Sequence, residues 1–81
     1  MPKFMDVHMM PGVTKAAVEE AHQKDLSLQQ KHGVKFETFW VDEKKGKVFC
    51  LSHAPNAEAA LAVHKEAGHP TTEIYEVHEG H

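Results

Sequence analysis

Residues 34–53, VKFETFWVDEKKGKVFCLSH, decide the fold, because two strand-forming runs flank a polar turn within them. Residues 34–42 are rich in β-branched and aromatic side chains, and such side chains favour extended backbone. Residues 47–53 form the second run, after the turn Glu43-Lys44-Lys45-Gly46. The pattern predicts a β-hairpin at the centre of the chain.

A strand and a helix are predicted before the hairpin. Residues 3–9 alternate between two faces, as in a strand, and Pro11-Gly12 ends the run. Thr14 is a suitable N-cap for a helix that continues to about His32, and Gly33 stops it.

A second helix and a last strand are predicted after the hairpin. Pro55-Asn56 opens the helix, which continues through Ala67 and is closed by Gly68, and residues 72–77 form the strand. The order β-α-β-β-α-β is that of the ferredoxin-like split βαβ unit. We therefore expect one α+β domain over residues 1–81, a sandwich whose two helices cover one face of an antiparallel sheet of order 4-1-3-2.

Both strands of the hairpin carry apolar side chains on both faces. In the first strand, alternation places Phe36 and Trp40 on one side and Phe39 and Val41 on the other. A large apolar patch is unusual on the exposed face of a monomer. The helix-free face is therefore expected to be covered, and a homodimer joined sheet to sheet or through strand edges is the simplest way to cover it.

Composition limits the function classes. The chain has 81 residues, with 9 Lys+Arg against 12 Asp+Glu and a formal net charge of −3, so nothing marks it for nucleic acid or an anionic membrane. Its single cysteine, Cys50, cannot form an internal disulfide, and no apolar run approaches membrane-spanning length. We expect a soluble cytoplasmic protein. The unusual feature is 8 histidines spread along the chain.

Two ionisable residues fall on predicted core faces. On helical wheels, Asp25 lies within the apolar arc of the first helix and His64 lies in the middle of the apolar stripe of the second. Burial of such groups costs stability unless a partner or ligand satisfies them. One interpretation is a metal or ligand site. The other is that Asp25 bonds nearby backbone while His64 is a satisfied core histidine.

The predicted topology brings some of these residues together. His8, His64 and His69 share the end of the molecule where the first strand ends. At about 1.5 Å per residue, His22 lies roughly 12 Å below the start of its helix, close enough to approach His64, and Asp25 lies deeper. Imidazoles with a carboxylate suit Ni²⁺, Zn²⁺ and Cu²⁺. The remaining histidines are expected towards the opposite end, namely His32, His53, His78 and His81.

Several segments resemble one family. These are MDVH (5–8), PG (11–12), HQKD (22–25), FWVDE (39–43), GKVFCL (46–51), APN (54–56) and HKEAGH (64–69). Over residues 3–77 the chain resembles the small bacterial ferredoxin-like proteins designated domain of unknown function 4242, a family that includes a nickel-binding protein. The resemblance implies a dimer that binds nickel, or another divalent transition metal, for sequestration or homeostasis. It makes metal-ligand candidates of His8, His22, Asp25, His64 and His69.

Two other functions stay open. In a dimeric α/β-barrel, the open sheet faces would enclose an aromatic-lined cavity for a small molecule, with His64 or Asp25 as general base of a monooxygenase or isomerase. This alternative rests on analogy between folds. The chain would otherwise be a structural dimer with no ligand.

Overall fold

The computed structural model describes residues 1–80, and its elements follow the predicted order. They are β1 (Lys3–Met9), α1 (Lys15–His32), β2 (Lys35–Asp42), β3 (Lys47–His53), α2 (Ala57–Ala67) and β4 (Glu73–Val77). The four strands form one antiparallel sheet of order β2-β3-β1-β4, with both helices on one side. The predicted ferredoxin-like fold is thus confirmed. Among the described residues, no helix combines the length and apolar character that a bilayer span requires.

The helices begin and end where their capping residues predict. The side chains of Thr14 and Asn56 accept hydrogen bonds from the backbone N–H groups of Ala17 and Ala59. Gly33 ends α1 in the left-handed conformation, with φ 69°. These caps satisfy backbone groups that a helix end would otherwise leave unpaired. They fix where each helix starts relative to the sheet, and therefore which side chains meet between the two layers.

The space between helices and sheet holds two apolar groups and an unusual set of polar residues. One apolar group comprises Phe4, Val34, Phe36, Ala54, Ala60 and Val63, and the other comprises Val13, Val18, Val48 and Cys50. The buried polar residues are Asp6, His8, Asp25, Ser52 and His64. Buried ionisable groups are rare unless they are paired, so their partners define the candidate site.

The predicted faces of β2 are wrong in one respect. A register shift lies between Phe36 and Thr38, where Glu37 is the extra residue of a β-bulge. One extra residue reverses the alternation beyond it. As a result Phe39 packs towards the helices on the same side as Phe36, and Trp40 is left on the other face, 50% exposed.

The helix-free face of the sheet is apolar, as predicted. We call the following residues the open face: Met5, Met9, Trp40, Phe49, Leu51, Tyr75 and Val77. Met9, Trp40 and Tyr75 are each at least half exposed. Within residues 1–80 no helix covers this face.

Substitution of Gly46 by alanine is expected to destabilise the fold by about 2–4 kcal/mol, which lowers Tm by about 10 °C or more. Gly46 has φ +66°, and an added Cβ would lie 2.8 Å from the Cα of Pro11 and 3.0 Å from the carbonyl oxygen of Met10. Both neighbours are backbone atoms, so neither moves cheaply. Thermal unfolding followed by circular dichroism measures the loss.

Gly33→Ala is the matched control for this substitution. Gly33 has nearly the same φ, +69°, but nothing lies within 4 Å of an added Cβ. Gly33→Ala should therefore lower the free energy of unfolding by only about 1 kcal/mol, which is the cost of a left-handed conformation for alanine. Equal losses at the two positions would show that the close approach of Gly46 to the segment after β1 is unimportant.

Candidate metal centre

The first part of the site lies on β1. Asp6 and His8 are two residues apart on a strand, so both side chains point to the helix side of the sheet. Asp6 is fully buried and His8 is 5% exposed. His8 Nε2 donates to Asp6 Oδ1 over 2.7 Å. A buried carboxylate on a strand interior therefore has one imidazole partner from its own strand.

The second part comes from the helices. His64, on α2, is fully buried and uses both ring nitrogens. Its Nε2 donates to Asp6 Oδ2 over 2.9 Å, and its Nδ1 donates to Asp25 Oδ1 on α1 over 3.1 Å. Burial opposes charge on this ring, but hydrogen bonds to the carboxylates of Asp25 and Asp6 outweigh it and raise the pKa of His64 to about 11. Without a metal, His64 is an imidazolium ion between two carboxylates.

The turn after α2 completes the network. His69 Nε2 donates to Asp25 Oδ1 over 2.8 Å. Burial raises the pKa of Asp25, but the hydrogen bonds from His64 and His69 and their charges together outweigh it and lower the pKa to about 2. Burial likewise opposes the charge of Asp6, and its two histidine partners lower the pKa below the usual value. We call these five residues the histidine–aspartate cluster: His8, Asp6, His64, Asp25 and His69.

The cluster contains four of the five residues that the sequence predicts as metal ligands. His8, Asp25, His64 and His69 are joined by carboxylate hydrogen bonds. The ring of His8 lies 4.6 Å from that of His64, measured between centroids. The predicted meeting of the first strand end with the second helix is therefore what the structure shows.

His22 stands beside the cluster. Its ring packs against Phe39 with centroids 4.9 Å apart, and its Nδ1 is buried with no hydrogen-bond partner. Burial lowers the pKa of His22 and favours the neutral ring. It lines a cavity of about 20 Å³ whose other polar walls are His8, Asp25, Cys50 and His69. That volume holds one water molecule or one ion.

Two members of the site were not predicted. Alternation along β1 puts Asp6 on the face of His8, but the sequence alone leaves open which face looks towards the helices. A single cysteine in mid-strand is ordinarily a small buried apolar residue, so the sequence does not mark Cys50 as a ligand. In the structure Cys50 is the β3 partner of Asp6, and burial raises the pKa of its thiol. The sequence does contain one indication of this position: Cys50 alternates with Val48 along the strand, which places both side chains on the core face.

The donor atoms of these residues converge in two overlapping sets. In the first set the ligand atoms of Asp6, His8, Cys50 and His64 all lie within 4.8 Å of one another; in the second set those of Asp25, His64 and His69 do so. Imidazole, carboxylate and thiolate together match Ni²⁺, Zn²⁺, Co²⁺ and Cu²⁺. The residues present therefore fit a transition-metal ion.

The other histidines take part in surface pairs. His32 lies 3.2 Å from Glu66 and His53 lies 3.2 Å from Glu37, measured between nitrogen and carboxylate oxygen. His78 is 86% exposed at its side chain. His81 lies outside the described residues. None of the described three belongs to a group of converging ligand atoms found within residues 1–80.

Comparisons with known proteins relate the whole chain to nickel-associated relatives. The family model described as "Nickel responsive protein SCO4226-like" matches residues 4–77. The crystal structure of SCO4226 from Streptomyces coelicolor A3(2) is similar, with 44% sequence identity and a TM-score of 0.91, over 98% of this chain and 99% of that chain. No curated protein matches. The similarity thus extends over the entire fold, including every element that contributes to the cluster.

Proposed function

This chain belongs to the SCO4226-like family of nickel-responsive proteins, and on that basis we propose that it binds Ni²⁺, or a related divalent transition metal, through its histidine–aspartate cluster. The metal is the cargo of a non-enzymatic protein that sequesters it or buffers its concentration. The observation that supports this best is the convergence of imidazole, carboxylate and thiol groups in the protein interior.

The geometry supports metal exchange with bound protons. Only two carboxylates, those of Asp6 and Asp25, accept four histidine N–H groups. His64 donates two of these, and His8 and His69 donate one each. A divalent cation that replaces such protons keeps the carboxylates neutralised and supplies the positive charge that His64 otherwise carries. Because ligands must lose their protons, affinity falls as pH falls.

We further propose that the protein is a homodimer joined through the open face. A chain of this size buries only about 60–65% of its unfolded surface, so an apolar sheet face favours a second copy. Met5, Trp40 and Leu51 line one pocket of this face, and a two-fold axis would bring that patch against the same patch of a second copy. We place the dimer in the cytoplasm, where the Cys50 thiol stays reduced.

The enzyme alternative has weaker support. His64 was its candidate general base, yet both of its ring nitrogens donate to carboxylates. His64 and Asp25 also lie on the helix side of the sheet, whereas the aromatic residues that would wall a ligand cavity between subunits lie on the open face. The proposed base and the proposed cavity are therefore on opposite sides of the sheet.

Calorimetric titration of the tag-free protein with Ni²⁺, Zn²⁺, Co²⁺ and Cu²⁺ tests the proposed function. We expect saturable Ni²⁺ binding at pH 7.5 and at least about tenfold weaker binding at pH 5.5, because His64, whose pKa is raised to about 11, must release its imidazolium proton before it can bind metal. His8→Ala should weaken binding strongly, whereas the matched control His78→Ala should not. Light scattering of the same samples gives the number of chains per particle.

Two results would count against this function. If no metal bound saturably, the chain would not be a metal-binding protein under these conditions. If metal bound equally well to His8→Ala and to wild type, the metal would lie outside the histidine–aspartate cluster.

A further inference from the structure

We propose that the metal occupies a four-donor position made by the Asp6 carboxylate, the His8 and His64 imidazoles and the Cys50 thiolate, with Asp25 and His69 outside the ligand shell. This inference rests on the proposed function and goes beyond it by assigning a role to each member of the cluster. In particular, it makes a ligand of Cys50 and a positioning residue of Asp25.

Hydrogen-bond geometry points to this position. The Nε2 atoms of His8 and His64 each donate to a different oxygen of the Asp6 carboxylate, over 2.7 and 2.9 Å. A cation in place of those two hydrogens is met by both nitrogens and by the carboxylate at once. Asp6 and Cys50 are directly paired across β1 and β3, which brings the sulfur to the same place.

Burial and space agree with the same position. Asp6 and His64 are fully buried, and His8 and Cys50 are each 5% exposed. The rigid sheet supplies three of the four donors and α2 supplies the fourth. The cavity of about 20 Å³ is lined by His8 and Cys50 of this set, and by neither Asp6 nor His64, so it borders the four-donor position on one side. The ligand atoms of all four residues lie within 4.8 Å of one another, so they converge on one ion-sized position.

Asp25 is better placed to orient His64 than to hold the metal. It accepts from His64 Nδ1, and this contact leaves Nε2 as the ligand nitrogen. Metal-bound histidines commonly donate their other N–H to a carboxylate in this way. His69 in turn donates to Asp25 Oδ1 and fixes that carboxylate. The competing set of Asp25, His64 and His69 offers only three donors and one anionic group for a divalent charge.

The thiolate determines which metals the position takes. Asp6 and Cys50 supply two negative charges, which balance a divalent cation within the ligand shell. Sulfur and imidazole donors favour Ni²⁺, Co²⁺, Zn²⁺ and Cu²⁺ over the oxygen-preferring Mg²⁺, Ca²⁺ and Mn²⁺. A site of carboxylates and imidazoles alone would discriminate less. Cys50 is thus the specificity-determining residue of the centre.

Co²⁺ titration followed by ultraviolet and visible absorption tests the assignment directly. Wild type should develop a near-ultraviolet thiolate-to-cobalt charge-transfer band that saturates with the metal, and Cys50→Ser should lack the band and bind at least about tenfold more weakly. Ser52→Ala is the matched control, since Ser52 is also buried on the helix side of β3 but outside both donor sets. It should keep the band.

Asp25→Asn separates a positioning role from ligation. Loss of an outer carboxylate typically costs 10–100-fold in metal affinity, so this variant should bind about 10–100-fold more weakly while it retains the thiolate band. If Co²⁺ bound wild type without the band, or if Cys50→Ser bound as tightly as wild type, this inference would be overturned and the proposed function would stand. If no Co²⁺, Ni²⁺ or Zn²⁺ bound to wild type, both would be overturned.

Discussion

Replacement of His64 by leucine is expected to destabilise the metal-free protein by about 3–5 kcal/mol at neutral pH, because removal of one partner from a buried charge network leaves the others uncompensated. Asp6 is fully buried and Asp25 is 2% exposed. Without His64 each keeps only one hydrogen-bond partner, His8 or His69. Leucine has a similar volume, so the loss reports charge rather than a cavity.

The pH dependence of this variant distinguishes charge from packing. In wild type, the pKa of Asp25 is lowered to about 2, so its stabilising contribution is present above pH 4 and is lost as pH falls towards 2. The pKa of His64 is raised to about 11, so its contribution is complete below pH 6.5 and declines as pH rises towards 11. Wild type should therefore be most stable between about pH 4 and 6.5.

In His64→Leu the slope on the acid side should reverse. The two carboxylates lose their shared cation, so protonation relieves them and stability should rise as pH falls below neutrality. Urea unfolding at pH 7 measures the loss, and unfolding at pH 4.5 and pH 2.5 compares the acid-side slopes, because wild type loses stability only below about pH 4. His32→Leu serves as control, because His32 pairs with Glu66 at the surface and its loss should change little. A loss below about 1 kcal/mol for His64→Leu at pH 7 would contradict the ion-pair network.

The fold was predictable because local signals agree with one another along the whole chain. Thr14, Gly33 and Asn56 cap the helices where the sequence places them, and the strand order matches the predicted topology. The face of Trp40 was not predictable. It depends on a β-bulge at a single extra residue, Glu37. The bulge arises from how β2 pairs with β3 and not from the conformational preferences of nearby residues.

The site was predictable in its location but not in its pairing. Helical wheels correctly place Asp25 and His64 on core faces. The rise along the helices predicts that His22 approaches His64; the structure places both rings against Phe36, and the residue of α1 that bonds His64 is Asp25. Axial distance alone does not identify Asp25 as the residue of α1 that bonds His64. To predict Asp6 as a member of the site, one must know which face of β1 points towards the helices. That is decided only when the helices pack on the sheet.

Substitution of Trp40 by lysine is expected to convert the proposed dimer into a monomer, with at least about a 100-fold increase in the dissociation constant. Trp40 is 50% exposed and lies beside Met5 and Leu51 on the open face. Buried tryptophans near the centre of an interface often contribute 2 kcal/mol or more to binding. A lysine there places a charge in a desolvated contact. Since the bulge directs Trp40 away from the core, the monomer fold should tolerate the change.

Sedimentation velocity over a range of protein concentrations follows this dissociation, and the fluorescence of Trp40, the single tryptophan, reports its burial in wild type. Wild-type emission should shift to shorter wavelength as the dimer forms. Lys24→Glu, at an exposed position of α1 on the other side of the sheet, is the control and should stay dimeric. Because the metal cluster lies on the helix side of the sheet, Trp40→Lys should still bind Ni²⁺ with wild-type affinity. A wild type that stayed monomeric at high concentration would contradict the dimer and leave the metal centre unaffected, since all of its donors come from one chain.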